Sequence, residues 1–211
     1  MGDGLREFEE KVESYIGTKH CIGLNSGTDA LMMALWSLDI GKGDEVIHPA
    51  ISFIATTAAI VHVGATPVFA EVDEDGLIDV AKLESKITSK TKAIMPVHWS
   101  GKLCEMARII EICKRRRLSL IEDAAQAMGA YYKSKHAGYY SDISAFSCHP
   151  LKNLNALGDG GFVIAKNFKD YEKIKRLRFY GIETSNKKNV YYNKYYANEN
   201  GLNSRLDEIQ S

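Results

Sequence analysis

Residues 146–161 of the chain begin Phe146-Ser147-Cys148-His149-Pro150-Leu151-Lys152-Asn153-Leu154 and end Gly158-Asp159-Gly160-Gly161. This stretch sets Lys152 in a short loop between two apolar runs of strand character, 142–146 and 161–164. Ser147 places a hydroxyl five residues before the lysine. A lysine held in such a loop is suited to forming an imine with an aldehyde, although most lysines are solvated surface charges.

A second motif, Ser26-Gly27-Thr28, lies upstream, between a predicted strand and a predicted helix. Glycine permits a tight turn, and the first turn of a helix offers unpaired N–H groups with positive dipole character. The motif therefore suits a phosphate group. It equally suits an ordinary helix N-cap, because Ser, Thr and Asp favour that position.

A third motif, Glu122-Asp123-Ala124-Ala125-Gln126, follows the apolar run 118–122, which reads as a strand buried on both faces. In a parallel sheet, ligands bind at the carboxyl ends of strands. Asp123 is thus placed either to pair with a protonated pyridine nitrogen or to cap a helix beginning at Ala124. Gln126 would donate to a phenolic oxygen or point to solvent. The three motifs in this order predict a pyridoxal 5'-phosphate (PLP) site, in which Lys152 carries the imine and moves protons.

Strand-like and helix-like patterns alternate through most of the chain. This alternation predicts an α/β fold with a mainly parallel sheet and helices on both faces. The predicted strands are 21–24, 45–49, 67–72, 93–98, 118–122, 142–146 and 161–164, and the predicted helices are 28–38, 53–63, 80–87, 105–117 and 170–178.

Composition narrows the class of protein. The 27 basic and 27 acidic residues cancel, which argues against nucleic acid or an anionic membrane as a partner. The four cysteines lack the spacing of a zinc site or the density of a disulfide framework, and the six histidines show no metal-ligand spacing. With no signal peptide and no apolar run of membrane-spanning length, we expect a soluble cytoplasmic protein.

Two regions stand out near the end of the chain. Tyr191, Tyr192, Tyr195 and Tyr196 lie in a polar stretch that reads as an exposed loop, either a linker or a contact surface. The last residues, 205–211, read as the start of a helix. We therefore divide the chain into a large domain over 1–181 and a loop-and-crossing segment over 182–211.

Three segments of this sequence resemble the DegT-type (DegT/DnrJ/StrS) sugar aminotransferases. They are Asn25-Ser26-Gly27-Thr28-Asp29-Ala30-Leu31, Glu122-Asp123-Ala124-Ala125-Gln126-Ala127 and the loop around Lys152. The resemblance implies the aspartate-aminotransferase type of PLP fold, fold type I. It also implies Lys152 as the Schiff-base lysine, Asp123 as partner of the pyridine nitrogen and Gln126 near the ring hydroxyl.

The same resemblance assigns further residues. Gly27, Thr28 and Ser147 would hold the phosphate, and Phe53 would stack on the cofactor ring unless it is one more core phenylalanine. Asn203 would cross to a neighbouring subunit and reach the phosphate of the other site. The catalytic unit is then expected to be a homodimer, and the tyrosine-rich loop is a candidate for contacts with the substrate.

The resemblance implies transfer of an amino group, from L-glutamate, to a nucleotide-linked keto-deoxy sugar. Such a reaction serves deoxyamino sugar biosynthesis for cell-surface glycans. Family members are longer and carry a small C-terminal domain, so this chain is expected to be truncated. The alternative is a non-catalytic fragment that binds PLP weakly or acts as an interaction surface.

Overall fold

A computed structural model describes residues 2–182 and 197–211. Most of the predicted tyrosine-rich loop, residues 183–196, lies outside the described residues. The helices are α1 Asp3–Ile16, α2 Gly27–Ser37, α3 Ile54–His62, α4 Val80–Leu83, α5 Met106–Arg116 and α6 Phe168–Leu177. The strands are β1 Cys21–Leu24, β2 Glu45–Pro49, β3 Thr66–Ala70, β4 Thr91–Ile94, β5 Ser119–Asp123, β6 Tyr131–Tyr132, β7 Lys135–His136, β8 Ile143–Ser147 and β9 Gly161–Ala165.

Seven of the strands form one sheet in the order β1-β9-β8-β5-β4-β2-β3. The five strands from β8 to β3 are parallel, whereas β9 runs antiparallel to both β8 and β1. Two reversals return β1 to the direction of the parallel strands, so its carboxyl end lies at the same edge as theirs. The predicted α/β fold class is confirmed.

Helices cover both faces of this sheet. Neighbouring strand residues alternate between two apolar clusters, with Val46 and Ala93 in the cluster that contains α2, and Ile47 and Ile94 in the cluster that contains α5. Burial on both faces explains why these strands read as continuous apolar runs instead of alternating patterns.

Helix α1 covers the outer edge of the sheet, at β1. The outward-facing N–H groups of Cys21 and Gly23 donate to the carboxylates of Glu13 and Glu9, each at 2.8 Å. The guanidinium of Arg178, only 2% exposed, donates to Glu9 Oε1 at 2.7 Å and to the Gly23 carbonyl at 3.1 Å. Side chains thus replace the missing neighbouring strand, which protects an edge that would otherwise pair with other chains.

The prediction of a helix beginning at Arg205 is wrong, because residues 205–211 contain only a turn. Asp207 explains the difference: its side chain accepts from the Ile209 N–H at 3.0 Å and its carbonyl accepts from the Gln210 N–H at 2.9 Å. These i to i+2 and i to i+3 bonds close a single turn, whereas a helix needs several consecutive i to i+4 bonds.

Within the two described ranges, the structure contains no helix long and apolar enough to cross a membrane. The same residues hold no group of three or more His, Cys, Asp or Glu side chains that could bind a metal ion.

Candidate active site

A cavity of about 420 Å³ opens at the carboxyl ends of the parallel strands. Its walls come from five chain segments, which are the β1–α2 junction, the start of α3, Val97 after β4, the end of β5 with the turn that follows it, and the loop between β8 and β9. Seven of the eight predicted site residues line this cavity: Gly27, Thr28, Phe53, Asp123, Gln126, Ser147 and Lys152. The topology thus gathers residues that are separated by as many as 125 positions in the sequence.

The cavity floor at the β1–α2 junction is built by close approach of backbones. A Cβ atom added at Gly27 would lie 2.7 Å from Ser147 Cβ, and one added at Gly161 would lie 2.5 Å from the Ser26 carbonyl carbon. The Ser26 hydroxyl accepts from the Asp29 N–H at 3.1 Å, so Ser26 is the N-cap of α2. Gly27, Thr28 and the Ser147 hydroxyl therefore form a compact concave surface at a helix N-terminus, which fits a phosphate.

Asp123 ends β5 and its side chain is buried at the cavity wall. Its Oδ2 atom accepts from the Thr56 hydroxyl at 2.6 Å, and its Oδ1 atom accepts from the Ala125 N–H at 3.2 Å. Burial raises the pKa of Asp123 above its usual value, although these hydrogen bonds act against the shift. The alternative role as a helix cap fails because only turns, and no helix, follow at Ala124.

The neighbouring Glu122 points to the opposite face of β5, where it is also fully buried. It accepts from His98 Nε2 at 2.9 Å and from the backbone N–H groups of Gly138, Tyr140 and Ser141 at 3.0 to 3.2 Å. Burial acts to raise the pKa of Glu122, but the His98 and backbone hydrogen bonds hold it below its usual value. Glu122 is therefore a structural anchor for the loop 138–141.

Lys152 lies in the loop between β8 and β9, which is fastened at its base. The Cys148 N–H donates to the Gly160 carbonyl and the Ala156 N–H to the Cys148 carbonyl, both at 2.8 Å. The Lys152 N–H donates to the His149 carbonyl, also at 2.8 Å. A closed loop of this kind holds the lysine at the cavity while its side chain stays partly exposed.

Gln126 lines the cavity, and its amide oxygen is already hydrogen-bonded. Its Oε1 atom accepts from the Ser100 N–H at 2.8 Å, which leaves the Nε2 group as a donor. This orientation fits donation to a phenolic oxygen.

Phe53 is 64% exposed at the start of α3, so it is not a core phenylalanine, and its ring is accessible from the cavity. Asn203 does not line this cavity. Its side chain is exposed and lines a second pocket with Leu5 and Arg205, and Arg205 Nε donates to its Oδ1 atom at 3.1 Å.

The structure adds cavity residues to which the sequence analysis assigned no role. Thr56, Ser52, His149 and Asp159 all line the cavity. Ser52 and Thr56 are one helical turn apart on the segment that enters α3. This spacing, visible in the sequence, indicates that their two hydroxyls lie on one face.

The model of the DegT/DnrJ/EryC1/StrS aminotransferase family matches residues 1–211. The chain is 47% identical over 212 residues to the dTDP-3-amino-3,6-dideoxy-alpha-D-galactopyranose transaminase of Aneurinibacillus thermoaerophilus, covering 100% of this chain and 56% of that protein. It is 42% identical to a UDP-N-acetyl-3-dehydro-alpha-D-glucosamine 3-aminotransferase of Acidithiobacillus ferrooxidans, covering 100% of this chain and 55% of that protein.

The fold is similarly close to that of a solved structure, NtdA from Bacillus subtilis with bound cofactor PMP. The TM-score is 0.91 at 34% identity, covering 100% of this chain and 46% of that one. The chain spans about half the length of the curated relatives it matches.

Proposed function

This chain belongs to the DegT/DnrJ/EryC1/StrS aminotransferase family, and we propose that the protein transfers an amino group from L-glutamate to a nucleotide-linked keto-deoxy sugar. PLP is the cofactor of this family. One observation carries the proposal: a single cavity brings together a loop lysine, a buried carboxylate and a glycine-lined helix N-terminus. The product would serve deoxyamino sugar biosynthesis for cell-surface glycans.

The cavity residues divide the work of holding PLP. Gly27, Thr28 and Ser147 would bind the phosphate, Asp123 the ring nitrogen and Phe53 the ring face. Gln126, whose Nε2 group remains a donor, would bind the phenolic oxygen. Bound PLP supplies an aldehyde that combines with amines and a ring that accepts electrons.

The protein's own contribution is to orient the ring and to move protons. The Asp123 carboxylate would keep the ring nitrogen protonated, and the burial of Asp123 strengthens that ionic contact by excluding water. Lys152, on a loop closed by hydrogen bonds at its base, would act through its Nζ atom as a nucleophile and later as a base.

We further propose a homodimer in which residues 1–181 form the cofactor domain and residues 182–211 include the segment that crosses to the partner. Asn203 supports this reading because it is exposed, lies outside its own cavity and sits on backbone fastened to α6. Leu202 N–H donates to the Leu177 carbonyl at 2.8 Å, and Ser204 N–H donates to the Arg178 carbonyl at 3.0 Å. A two-fold axis would then give two equivalent sites.

The names of the relatives leave the nucleotide open, since one acts on a dTDP-linked sugar and the other on a UDP-linked sugar. We place the reaction in the cytoplasm. The four cysteines are free and buried, which fits a reducing compartment.

The proposal is tested by titrating the purified chain with PLP and recording visible absorbance. A saturable band above that of free PLP is expected for the wild type and for Lys169→Ala, a control at an exposed lysine on α6. Lys152→Ala should lack the band. Borohydride reduction followed by peptide mapping should place the cofactor on Lys152, and a Lys152→Ala variant that retained transamination would contradict the assignment.

Addition of L-glutamate to the PLP-loaded chain separates the two functions. An aminotransferase should release one equivalent of 2-oxoglutarate per bound cofactor and lose the visible band. Binding of PLP without this half-reaction would favour the alternative, a non-catalytic chain that retains the cofactor site.

A further inference from the structure

The hydroxyl groups of Ser52 and Thr56, near the start of α3, form a chain of hydrogen bonds that leads to Asp123. Thr56, only 1% exposed, lies 2.6 Å from Asp123 Oδ2 through its Oγ1 atom. The Ser52 Oγ atom in turn lies 2.5 Å from Thr56 Oγ1 and 3.1 Å from the Phe53 carbonyl oxygen. The three side chains form a continuous hydrogen-bonded row that ends at the cavity wall.

We propose that Thr56, supported by Ser52, is the positioning residue that fixes the Asp123 carboxylate opposite the cofactor ring nitrogen. This inference rests on the proposed function, because Asp123 is assigned there to the ring. Thr56 acts through Asp123 and is not itself in the chemistry.

The geometry favours a charge-assisted bond between Thr56 and Asp123. A separation of 2.6 Å falls in the range of hydroxyl-to-carboxylate hydrogen bonds, which are shorter and roughly twice as strong as neutral ones. Because the carboxylate accepts from Thr56 on one oxygen and from the Ala125 N–H on the other, its plane is set by two donors on different elements. A carboxylate fixed this way requires little reorganisation when a cationic ring binds.

The hydroxyl row can also serve both protonation states of Asp123. When Asp123 is ionised, Ser52 donates to Thr56 and Thr56 donates to the carboxylate. When Asp123 is protonated, the row reverses, so that Asp123 donates to Thr56, Thr56 to Ser52 and Ser52 to the Phe53 carbonyl. Because each hydroxyl can donate one hydrogen bond and accept others, the Ser52–Thr56 and Thr56–Asp123 bonds are kept in both directions, and the Ser52 bond to the Phe53 carbonyl is made only when Asp123 is protonated. Burial raises the pKa of Asp123, which acts in favour of the protonated direction of the row.

The decisive variant is Thr56→Val, which removes the donor and keeps the shape of the side chain. Thr56→Ser restores the hydroxyl. Thr57→Val is the matched control, since it makes the same substitution at the next residue, where the hydroxyl faces His48 at 3.5 Å. Asp123→Asn identifies the Asp123 signal in carboxyl carbon-13 NMR spectra.

The first readout is the titration of Asp123 in the cofactor-free chain. Thr56→Val should move its midpoint to higher pH, because the bond that stabilises the anion is gone, while Thr56→Ser and Thr57→Val should titrate like the wild type. The other titratable neighbours, His98 and Lys152, are unchanged in all variants. An unshifted midpoint in Thr56→Val would overturn the proposal.

The second readout is PLP affinity measured from the visible band. Thr56→Val should raise the dissociation constant about tenfold, as expected for one lost hydrogen bond to a charged group. Thr56→Ser should rescue it. If the wild type binds no PLP, the proposed function fails, but the Asp123 titration still decides the role of Thr56.

If Thr56→Val does not fold, Ser52→Ala provides the test instead, because Ser52 is only partly buried. This variant should shift the Asp123 midpoint in the same direction by a smaller amount. An unchanged Asp123 midpoint in Ser52→Ala would then show that the row is only structural.

Discussion

Replacing Gly27 by alanine tests how tightly the phosphate-binding surface is built. The added Cβ would lie 2.7 Å from Ser147 Cβ and 3.1 Å from Ser147 Cα, whereas carbon atoms in contact prefer about 3.5–4.0 Å. Ser147 is held in β8 by its pairing with β9, so the strain falls on the first turn of α2. Overpacking of this size costs about 1–3 kcal/mol, and the better helix propensity of alanine returns at most about 1 kcal/mol.

We therefore expect Gly27→Ala to lower the free energy of unfolding by about 1–2 kcal/mol and to weaken PLP binding. Two matched alanine variants provide comparisons, one expected to be more destabilising and the other less destabilising than Gly27→Ala. Gly161→Ala meets backbone, with the Ser26 carbonyl carbon at 2.5 Å, and should cost about 3 kcal/mol or more. Gly41→Ala finds its nearest atom, the Val63 carbonyl oxygen, at 3.4 Å and should change stability by less than about 0.5 kcal/mol.

Urea unfolding gives the free energies, and the visible PLP titration gives the affinities. The expected order of damage in both assays is Gly161→Ala, then Gly27→Ala, then Gly41→Ala. If Gly27→Ala matched Gly41→Ala in both assays, the close approach of α2 to Ser147 would not be what shapes the cavity floor.

Two further predictions concern buried charges. Arg178→Met should lower the free energy of unfolding by about 3 kcal/mol in urea, because it leaves the Glu9 carboxylate and the Gly23 carbonyl without their cationic partner. Adding Glu9→Gln should recover part of the loss, and full stability of the single variant would contradict the role of Arg178 at the sheet edge. The pH profile of unfolding should separate the two adjacent acids. The lowered pKa of Glu122 contributes stability that is present at neutral pH and is lost as the pH falls through the folded-state pKa of Glu122. In Glu122→Gln, the free energy of unfolding should therefore fall less steeply as the pH is lowered. The raised pKa of Asp123 has the opposite sign, so the cofactor-free Asp123→Asn chain should be more stable than the wild type at pH 7, with the gap closing in acid.

The local sequence pattern was sufficient to predict the buried strands of the fold. Strands 21–24 and 45–49 were predicted at the observed bounds, because an apolar run between turn residues has few other solutions in an α/β chain. Helix α1 was not predicted. Its buried positions are only Leu5, Val12 and Ile16, and most of its other residues are charged. Its place depends on Glu9 and Glu13 meeting the edge of β1, which is a tertiary contact.

The contacts within the cavity were harder to predict than the residues that line it. Lys152, Ser147 and Gly27 are recognisable because each lies in a segment with its own local signal. Thr56 contacts Asp123 across 67 positions of sequence, and that contact exists only because β2 and β5 flank β4 in the sheet. A threonine in the first turn of an apolar helix is ordinary in sequence, so its partner had to come from topology.

Glu122 and Asp123 show why the last step needs the three-dimensional structure. The two acids are adjacent, both are buried, and both end the same strand. Because successive side chains of a strand point to opposite faces, Glu122 enters a layer where four donors satisfy it, while Asp123 enters the cavity wall with two. The same burial therefore yields a lowered pKa in one and a raised pKa in the other. An under-satisfied buried carboxylate is costly to the empty protein, and a cationic ligand that pairs with it converts that cost into binding affinity. The imbalance between these neighbours supports the proposal that the cofactor ring binds at Asp123 and not at Glu122.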